Sequence, residues 1–274
     1  MKTFFHEYKG INQPDRLILT IYLSIEQISI SLYDPDKNGS YCYKDLTTED
    51  HIDIFSAFKE QFFDNAFISL PFRKVLIMYR SPFFTYVPTS MYSDSLQKDF
   101  MKFLFPDQQG KILSHPVASS DIMVLYQMPE TVYDFFIRSF AKPDFIHYSA
   151  PMISFFLEKL KDDASRMIVN IQETGLDIFC FSKDNFLMGN YFPCKTPSEM
   201  AYFILFTWRQ LQFNQMNDSL HISGNANLKV EIIDLISTYI NKIYYLPVFP
   251  EIHFEGVETG NIPFELTALS SCAL

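Results

Sequence analysis

Glycine is scarce in this chain: 8 residues in 274. That is few for an enzyme that cradles phosphates with backbone N–H groups in several loops. The glycine motifs of nucleotide enzymes, Gly-x-Gly-x-x-Gly and the P-loop, are missing, and so is a Gly-x-Ser-x-Gly nucleophile elbow. Cysteine is sparse as well. Cys42, Cys180, Cys194 and Cys272 lie far apart with no Cys-x-x-Cys, which implies no disulfide framework and points to a reducing cytoplasm. Cys180 and Cys194 sit in apolar, strand-like surroundings and read as small hydrophobes. His6, His51, His115, His147, His221 and His253 show no metal-ligand spacing. Positive charge is short too: 22 Lys+Arg against 32 Asp+Glu leave a net charge of −10. Such a surface repels phosphate backbones and anionic headgroups, so lipid surfaces are poor partners and no nucleic-acid partner is expected. No apolar run approaches about 18 residues, so no direct membrane insertion is expected. Residues 1–16 hold no apolar core of a signal peptide.

Aromatic residues are abundant, with 29 Phe and 16 Tyr against a single Trp. They suit thick cores between helices and sheets better than a stacking platform for bases. Hydrophobic content of 48% against 20% charged places the chain among globular proteins.

One pattern occurs twice. Residues 17–63 and 167–211 match at a fixed offset: Ile28 with Leu176 (176 − 28 = 148), Ile30 with Ile178, Leu32 with Cys180. Downstream, Tyr43 pairs with Tyr191, Thr48 with Thr196, Phe55 with Phe203 and Phe58 with Phe206. In the first copy, 17–23 reads as a buried strand. Residues 28–34 alternate as a half-buried strand, Asn38-Gly39 signals a hairpin, and 41–43 is a third strand. Asp34 and Asp36 read as turn formers. Thr47 or Thr48 caps a helix whose stripe is Ile52, Phe55, Phe58 and Phe62. The reading continues with strands at 74–79, 83–87, 111–117 and 121–127, helices at 96–105 and 129–140, a strand at 145–148 and a helix at 151–160. A short strand at 3–8 precedes them all. The second copy has strands at 167–171, 176–181 and 186–192. Thr196-Pro197-Ser198-Glu199 is a capping box. It opens a helix that is apolar nearly all round and is therefore expected to be buried on several sides. A strand at 220–223, a helix at 227–241, a strand at 243–246 and a last helix from Pro263 close the chain. The polar patch Lys161-Asp162-Asp163 marks the boundary between halves 1–163, with a polar lead-in over 1–16, and 164–274.

Two copies of a βββαβα unit joined by a helix resemble the actin-like ATPase (ribonuclease H-like) fold. The likeness is carried by the hairpins Leu17–Tyr43 and Met167–Phe192, their following helices, and Leu220-His221-Ile222-Ser223-Gly224-Asn225 leading into a helix. Proteins of that fold include actin, sugar kinases, heat-shock ATPases, FtsA and PilM. Lys74–Tyr92, with Tyr86-Val87-Pro88, and the closing Pro263–Leu274 resemble a bacterial family of unknown function assigned an actin-like fold. The implied fold class is α/β: a duplicated actin-like fold of two βββαβα-type halves with mixed sheets flanked by helices.

The resemblance implies a cofactor, ATP with Mg²⁺, held between two hairpins that each begin Asp-x-Gly. The Asp orients the metal, and the Gly lets backbone N–H groups reach phosphate. Here Asn170-x-Gln172 stands at that place in the second half and Tyr22-x-Ser24 in the first. Both copies lack the metal carboxylate, so no catalytic residue and no metal ligand is assigned. The positions that the resemblance marks for nucleotide are Ser24, Glu26, Asn170, Gln172, Thr174, Gly175, Gly224 and Asn225. Taken without the resemblance, Glu26 and Glu173 are exposed turn carboxylates, Thr174-Gly175 is a plain hairpin turn, and Gly224 is an ordinary strand–helix junction. Three functional readings follow. The first is a degenerate, non-hydrolysing scaffold or adaptor that binds a protein partner. The alternative is a nucleotide-binding protein or weak ATPase that uses a cleft between the halves. The third is a binding module for some other small molecule in the same cleft.

Overall fold

A computed structural model describes residues 13–25, 27–37, 40–46, 54–64, 66–160, 164–183, 185–224, 226–246 and 262–271. The strand expected at 3–8, the Asn38-Gly39 turn, the Thr47/Thr48 cap, the 161–163 boundary, Glu26 and Asn225 lie outside them. The chain forms two compact units, residues 1–151 with 249–274, and residues 152–248. The C-terminal stretch, read above with the second half, thus clusters with the first.

The first unit is built on a five-stranded sheet of order β3-β2-β1-β4-β8. Its strands are β1 (Ile18–Leu23), β2 (Ile28–Tyr33), β3 (Cys42–Asp45), β4 (Lys74–Tyr79) and β8 (Asp144–His147). The β1–β2–β3 meander is antiparallel, whereas β1, β4 and β8 run parallel. One face packs under helix α1 (Ile54–Asp64) and, further along the chain, α3 (Glu130–Ser139). The apolar stripe that writes α1 is the one that buries it: Phe58 and Phe62 join Leu19, Ile21, Ile30 and Leu32 in one core with Val132 and Phe136 of α3. Rings of Phe55, Phe58, Phe62, Phe135 and Phe136 meet at 5.2–6.2 Å, mostly edge to face. Five of the 29 phenylalanines meet here, and such pairs add to the gain from area alone.

Between β4 and β8 the first unit carries an insertion. Strands β5 (Phe84–Pro88), β6 (Lys111–Val117) and β7 (Ile122–Met128) form a three-stranded antiparallel sheet of order β5-β7-β6. Helix α2 (Gln97–Leu104) covers it through Met101, which meets Val87 and Leu125. The strands were legible in sequence, but their separate sheet was not.

The second unit repeats the main sheet in the order β11-β10-β9-β12-β13. Here β9 is Ser165–Ile171, β10 Gly175–Ser182, β11 Asn185–Pro193, β12 Ser219–Gly224 and β13 Lys242–Tyr245. Hairpin register repeats too: Leu23 faces Ile28 in the first, and Ile171 faces Leu176 in the second, both displaced by 148. Helix α4 (Ser149–Lys159) runs into this unit, which begins at Met152, and α5 (Pro197–Gln210) and α6 (Ala226–Ile236) belong to it. Thr196 and Glu199 form the expected capping box, which satisfies N–H groups that a helix start leaves open.

Two expectations need correction. The strand 28–34 was expected to be half-buried, yet Ser29 and Ser31 are buried along with Ile28, Ile30 and Leu32. Their face of the sheet is covered, since Tyr22, which faces Ser29, meets the C-terminal helix α7 (Phe264–Ser271). Helix α5 was expected to be buried on several sides. Met200, Ala201, Ile204 and Trp208 are buried, but Tyr202 and Phe206 are 59% and 46% exposed. Apolar content counts candidates for burial; it does not supply a neighbour for each.

Phe136 lies at the centre of the ring cluster and is fully buried. Phe136→Ala is expected to cost about 3–5 kcal/mol in urea unfolding. A loss below about 1 kcal/mol would show that the cluster does not carry the first core.

Candidate functional site

In open α/β sheets, ligands gather beyond the carboxyl ends of the parallel strands. In the first unit those are the ends of β1, β4 and β8. They present Tyr22, Arg80 and His147. Arg80 follows β4 and extends its ladder, donating its backbone N–H to Leu23 at 2.8 Å. Its guanidinium is buried, and Nη1 donates to Glu265 Oε1 of α7 at 2.7 Å. Tyr22 donates its hydroxyl to the same oxygen at 3.4 Å, and the Tyr148 ring lies 4.3 Å from the guanidinium carbon. A buried cation here is met by a carboxylate of the protein's own C-terminal helix. Six successive residues of α7, Phe264 to Leu269, are buried, so the helix is held on all sides.

Beside this cluster, His147 is fully buried between the rings of Phe84 and Tyr126, at 4.6 and 5.0 Å. Its Nε2 lies 3.2 Å from the Ser81 carbonyl and its Nδ1 2.7 Å from Ser149 Oγ. A carbonyl only accepts, so the network assigns the proton to Nε2, and Nδ1 accepts from the Ser149 hydroxyl. Burial holds the imidazole neutral, with its pKa lowered to about 3. Ser149 is fully buried as well, and the imidazole is oriented by a carbonyl rather than an acid. The pair packs the sheet end and offers no exposed nucleophile.

The β1–β2 turn closes on itself. Ser24 donates both its backbone N–H and its hydroxyl to the Gln27 carbonyl, at 2.9 and 3.2 Å, and its Oγ accepts the Gln27 N–H at 2.8 Å. The second unit repeats the contact at the same offset: Gln172 donates its N–H to the Gly175 carbonyl at 2.9 Å. The Thr174 carbonyl accepts from the Tyr191 hydroxyl at 3.0 Å and from the Cys194 N–H at 3.2 Å. A Cβ on Gly175 would stand 2.5 Å from the Phe192 carbonyl oxygen and 2.7 Å from the Tyr191 ring. Close strand packing needs glycine there.

At the carboxyl ends of β9 and β12 the structure brings Asn170 and Gly224 together. Asn170 is buried; its Nδ2 donates to Asp177 Oδ2 at 3.3 Å, and its Oδ1 accepts from the Ser223 hydroxyl at 2.9 Å. Gly224 has a φ of +92°, and a Cβ there would lie 2.0 Å from the Ile171 carbonyl oxygen. Thus this glycine, too, is required by its own neighbours. Ser24 belongs to the first unit, and Asn170, Gln172, Thr174, Gly175 and Gly224 belong to the second.

Sequence reasoning missed Asp177, Arg80 and Glu265. The signal for two of them was present: Leu176-Asp177-Ile178 and Phe264-Glu265-Leu266 each set one carboxylate inside an apolar run, where it is buried with its neighbours. Among the described residues, no group of three or more His, Cys, Asp or Glu is placed to hold a metal ion.

Comparison with known proteins agrees with the geometry. A family model described as Protein of unknown function (DUF3822) matches residues 7–243. No curated protein matches the chain. Among solved structures, a Bacteroides thetaiotaomicron protein, described as having an actin-like ATPase fold and unknown function, superposes with a TM-score of 0.84 at 20% identity. The match covers 96% of this chain and 98% of that one. The PilM–PilN type IV pilus biogenesis complex gives a TM-score of 0.59 at 10% identity, over 92% and 96% of the two chains. The fold is therefore the actin-like ATPase fold, as the paired hairpins implied.

His147 makes stability depend on pH. Its folded pKa, about 3, lies below the ordinary 6.5, so the unfolded chain binds the extra proton between those values. This contribution is fully present above about pH 6.5 and is lost as pH falls toward 3. Urea unfolding at stepped pH is expected to show His147→Gln with a slope about 1 kcal/mol per pH unit shallower than the parent. Equal slopes would contradict the buried neutral imidazole.

Proposed function

The chain belongs to the DUF3822 family, described as proteins of unknown function, and from that premise we propose that it is a non-hydrolysing actin-like scaffold, an adaptor that binds a protein partner. The observation that carries the reading is the filled carboxyl end of the first sheet. Arg80, the cation best placed there to meet a phosphate, is neutralised by Glu265 at 2.7 Å. A bound nucleotide would have to break that pair and leave a buried carboxylate facing its own negative charge, a cost of several kcal/mol. In the second unit, Asn170 stands where a metal carboxylate is needed, and its amide is engaged by Asp177 and Ser223. Gly175 and Gly224 are accounted for by strand packing. These residues do not fit Mg-ATP. A neighbour of the same fold, PilM, is found in a complex with a second protein, which is in keeping with a partner here. Cys42, Cys180 and Cys194 are free and buried, in keeping with work in a reducing cytoplasm. No helix among the described residues is long and apolar enough to cross a membrane.

The alternative, nucleotide binding at an altered site, draws on the fold and on Asp177, a buried carboxylate directly opposite Asn170 on the neighbouring strand. Differential scanning fluorimetry separates the two. The scaffold reading expects the melting temperature to stay fixed, within error, as Mg-ATP is raised to millimolar concentration. A saturable rise would show binding to the folded state and replace the scaffold by the nucleotide reading.

A further inference from the structure

The second unit holds a cavity of about 770 Å³ at the end of α5, within the size range of built ligand pockets. It is lined by Leu205, Trp208, Arg209, Phe213, Met216 and Tyr239, with Gln212, Asn214 and Gln215 at its polar side. The loop that shapes it is tied down. Asp218 accepts backbone N–H groups from Asn214 at 2.6 Å and Ser165 at 2.9 Å, Asn214 Oδ1 accepts those of Met216 and Asn217, and the Gln215 carbonyl accepts from Asn241. The pocket is therefore preformed, and binding would spend little on ordering it.

Two features give the pocket a chemical preference. Trp208 is buried, and its indole N–H has no partner among the described residues; a buried indole N–H ordinarily finds an acceptor. Arg209 is exposed and forms no ion pair among the described residues. Among the described residues no carboxylate lines the cavity, and the Asp218 oxygens are engaged by the loop. In a protein with a net charge of −10, this is a local site for an anion with an apolar body. The apolar surface also continues past the cavity. Tyr202 and Phe206 are exposed on α5 and stack at 5.7 Å. They lie at helical spacing from Arg209. A small molecule filling the cavity would leave them in water, whereas an extended segment would cover them.

We propose that α5 and the loop after it form a docking site for a short peptide segment of a protein partner, in which an apolar or aromatic side chain enters the cavity beside Trp208 and an adjacent carboxylate pairs with Arg209. The proposal rests on the scaffold reading only in taking the occupant to be a protein segment. A saturable Mg-ATP shift would remove that reading without touching this site; the outcomes below test this site without touching that reading.

The test selects a random peptide library displayed on phage against the full chain, with counter-selection on Arg209→Glu, an exposed substitution. Trp208 is the sole tryptophan, so its emission reports on the cavity alone. Selected peptides are expected to carry Asp or Glu next to Leu, Phe, Tyr or Trp. Non-aromatic members are expected to shift Trp208 emission saturably. Labelled peptides are expected to bind Arg209→Glu about ten-fold or more weakly. Trp208→Phe removes the N–H together with part of a buried ring, so its melting temperature is expected to fall; its binding is read at a temperature where the variant is still folded, and is expected to be weaker than the parent's. The proposal is overturned if no Arg209-dependent peptides emerge, or if they bind without altering Trp208 emission. It is overturned equally if sedimentation shows the chain alone forming a dimer that Arg209→Glu dissolves, because the occupant would then be a second copy. Equal competition by free acetate or succinate and by the selected peptides would reduce the site to a small-anion site and also overturn it.

Discussion

A guanidinium taken out of water must find its counter-charge inside the protein, or the fold loses several kcal/mol. Arg80 finds it on Glu265, a residue 185 positions away in the chain. Much of the first unit turns on this pair. It fixes the last helix against the carboxyl end of β1 and β4, it brings Tyr22 and Tyr148 onto the same charges, and it covers the sheet face that carries Ser29. The same pair decides what the sheet end can do. The region where this class of sheet ordinarily receives a ligand holds, in this unit, a side chain of the chain itself.

The two units share a scaffold and differ at that end. In both, a hairpin precedes two parallel strands, and the turn closes through the same backbone hydrogen bond. The first unit finishes with an ion pair and aromatic rings. The second finishes with an amide, a carboxylate and a hydroxyl bonded to one another, Asn170, Asp177 and Ser223. At the hairpin positions that the resemblance marks, Tyr22-x-Ser24 stands in the first unit and Asn170-x-Gln172 in the second. The hairpin register, which the core demands, is the same in both units, while the residues at the strand ends differ.

How much of this was legible in the sequence follows from the range of each interaction. The hairpins, the capping box at Thr196 and the Phe58/Phe62 stripe are local patterns, and each appears where the spacing put it. The mixed sheet of each half followed from the repeat and the resemblance it carries, whereas the strand order appears only in the structure. The separate sheet of β5, β6 and β7 was not legible, because three strands can be recognised without knowing which partners they take. Ser29 and Ser31 looked solvent-facing since alternation reports one buried face and is silent on whether something covers the other. Tyr202 and Phe206 looked buried for the converse reason. At the candidate site, the absence of Asp-x-Gly was plain, but what replaced it was not. Glu265 stands out as a carboxylate in an apolar run, but Arg80 is an ordinary residue until the fold joins the two.

A double-mutant cycle across Arg80 and Glu265 tests the central claim most directly, with Arg80→Met, Glu265→Leu and the double variant compared by urea unfolding. Each single change leaves a buried charge alone, so each is expected to cost about 3–5 kcal/mol, and the double variant far less than their sum. A coupling above about 1 kcal/mol supports a C-terminal helix locked into the sheet end. Additive losses would contradict it, and the carboxyl end of the first sheet would then stand open to a ligand.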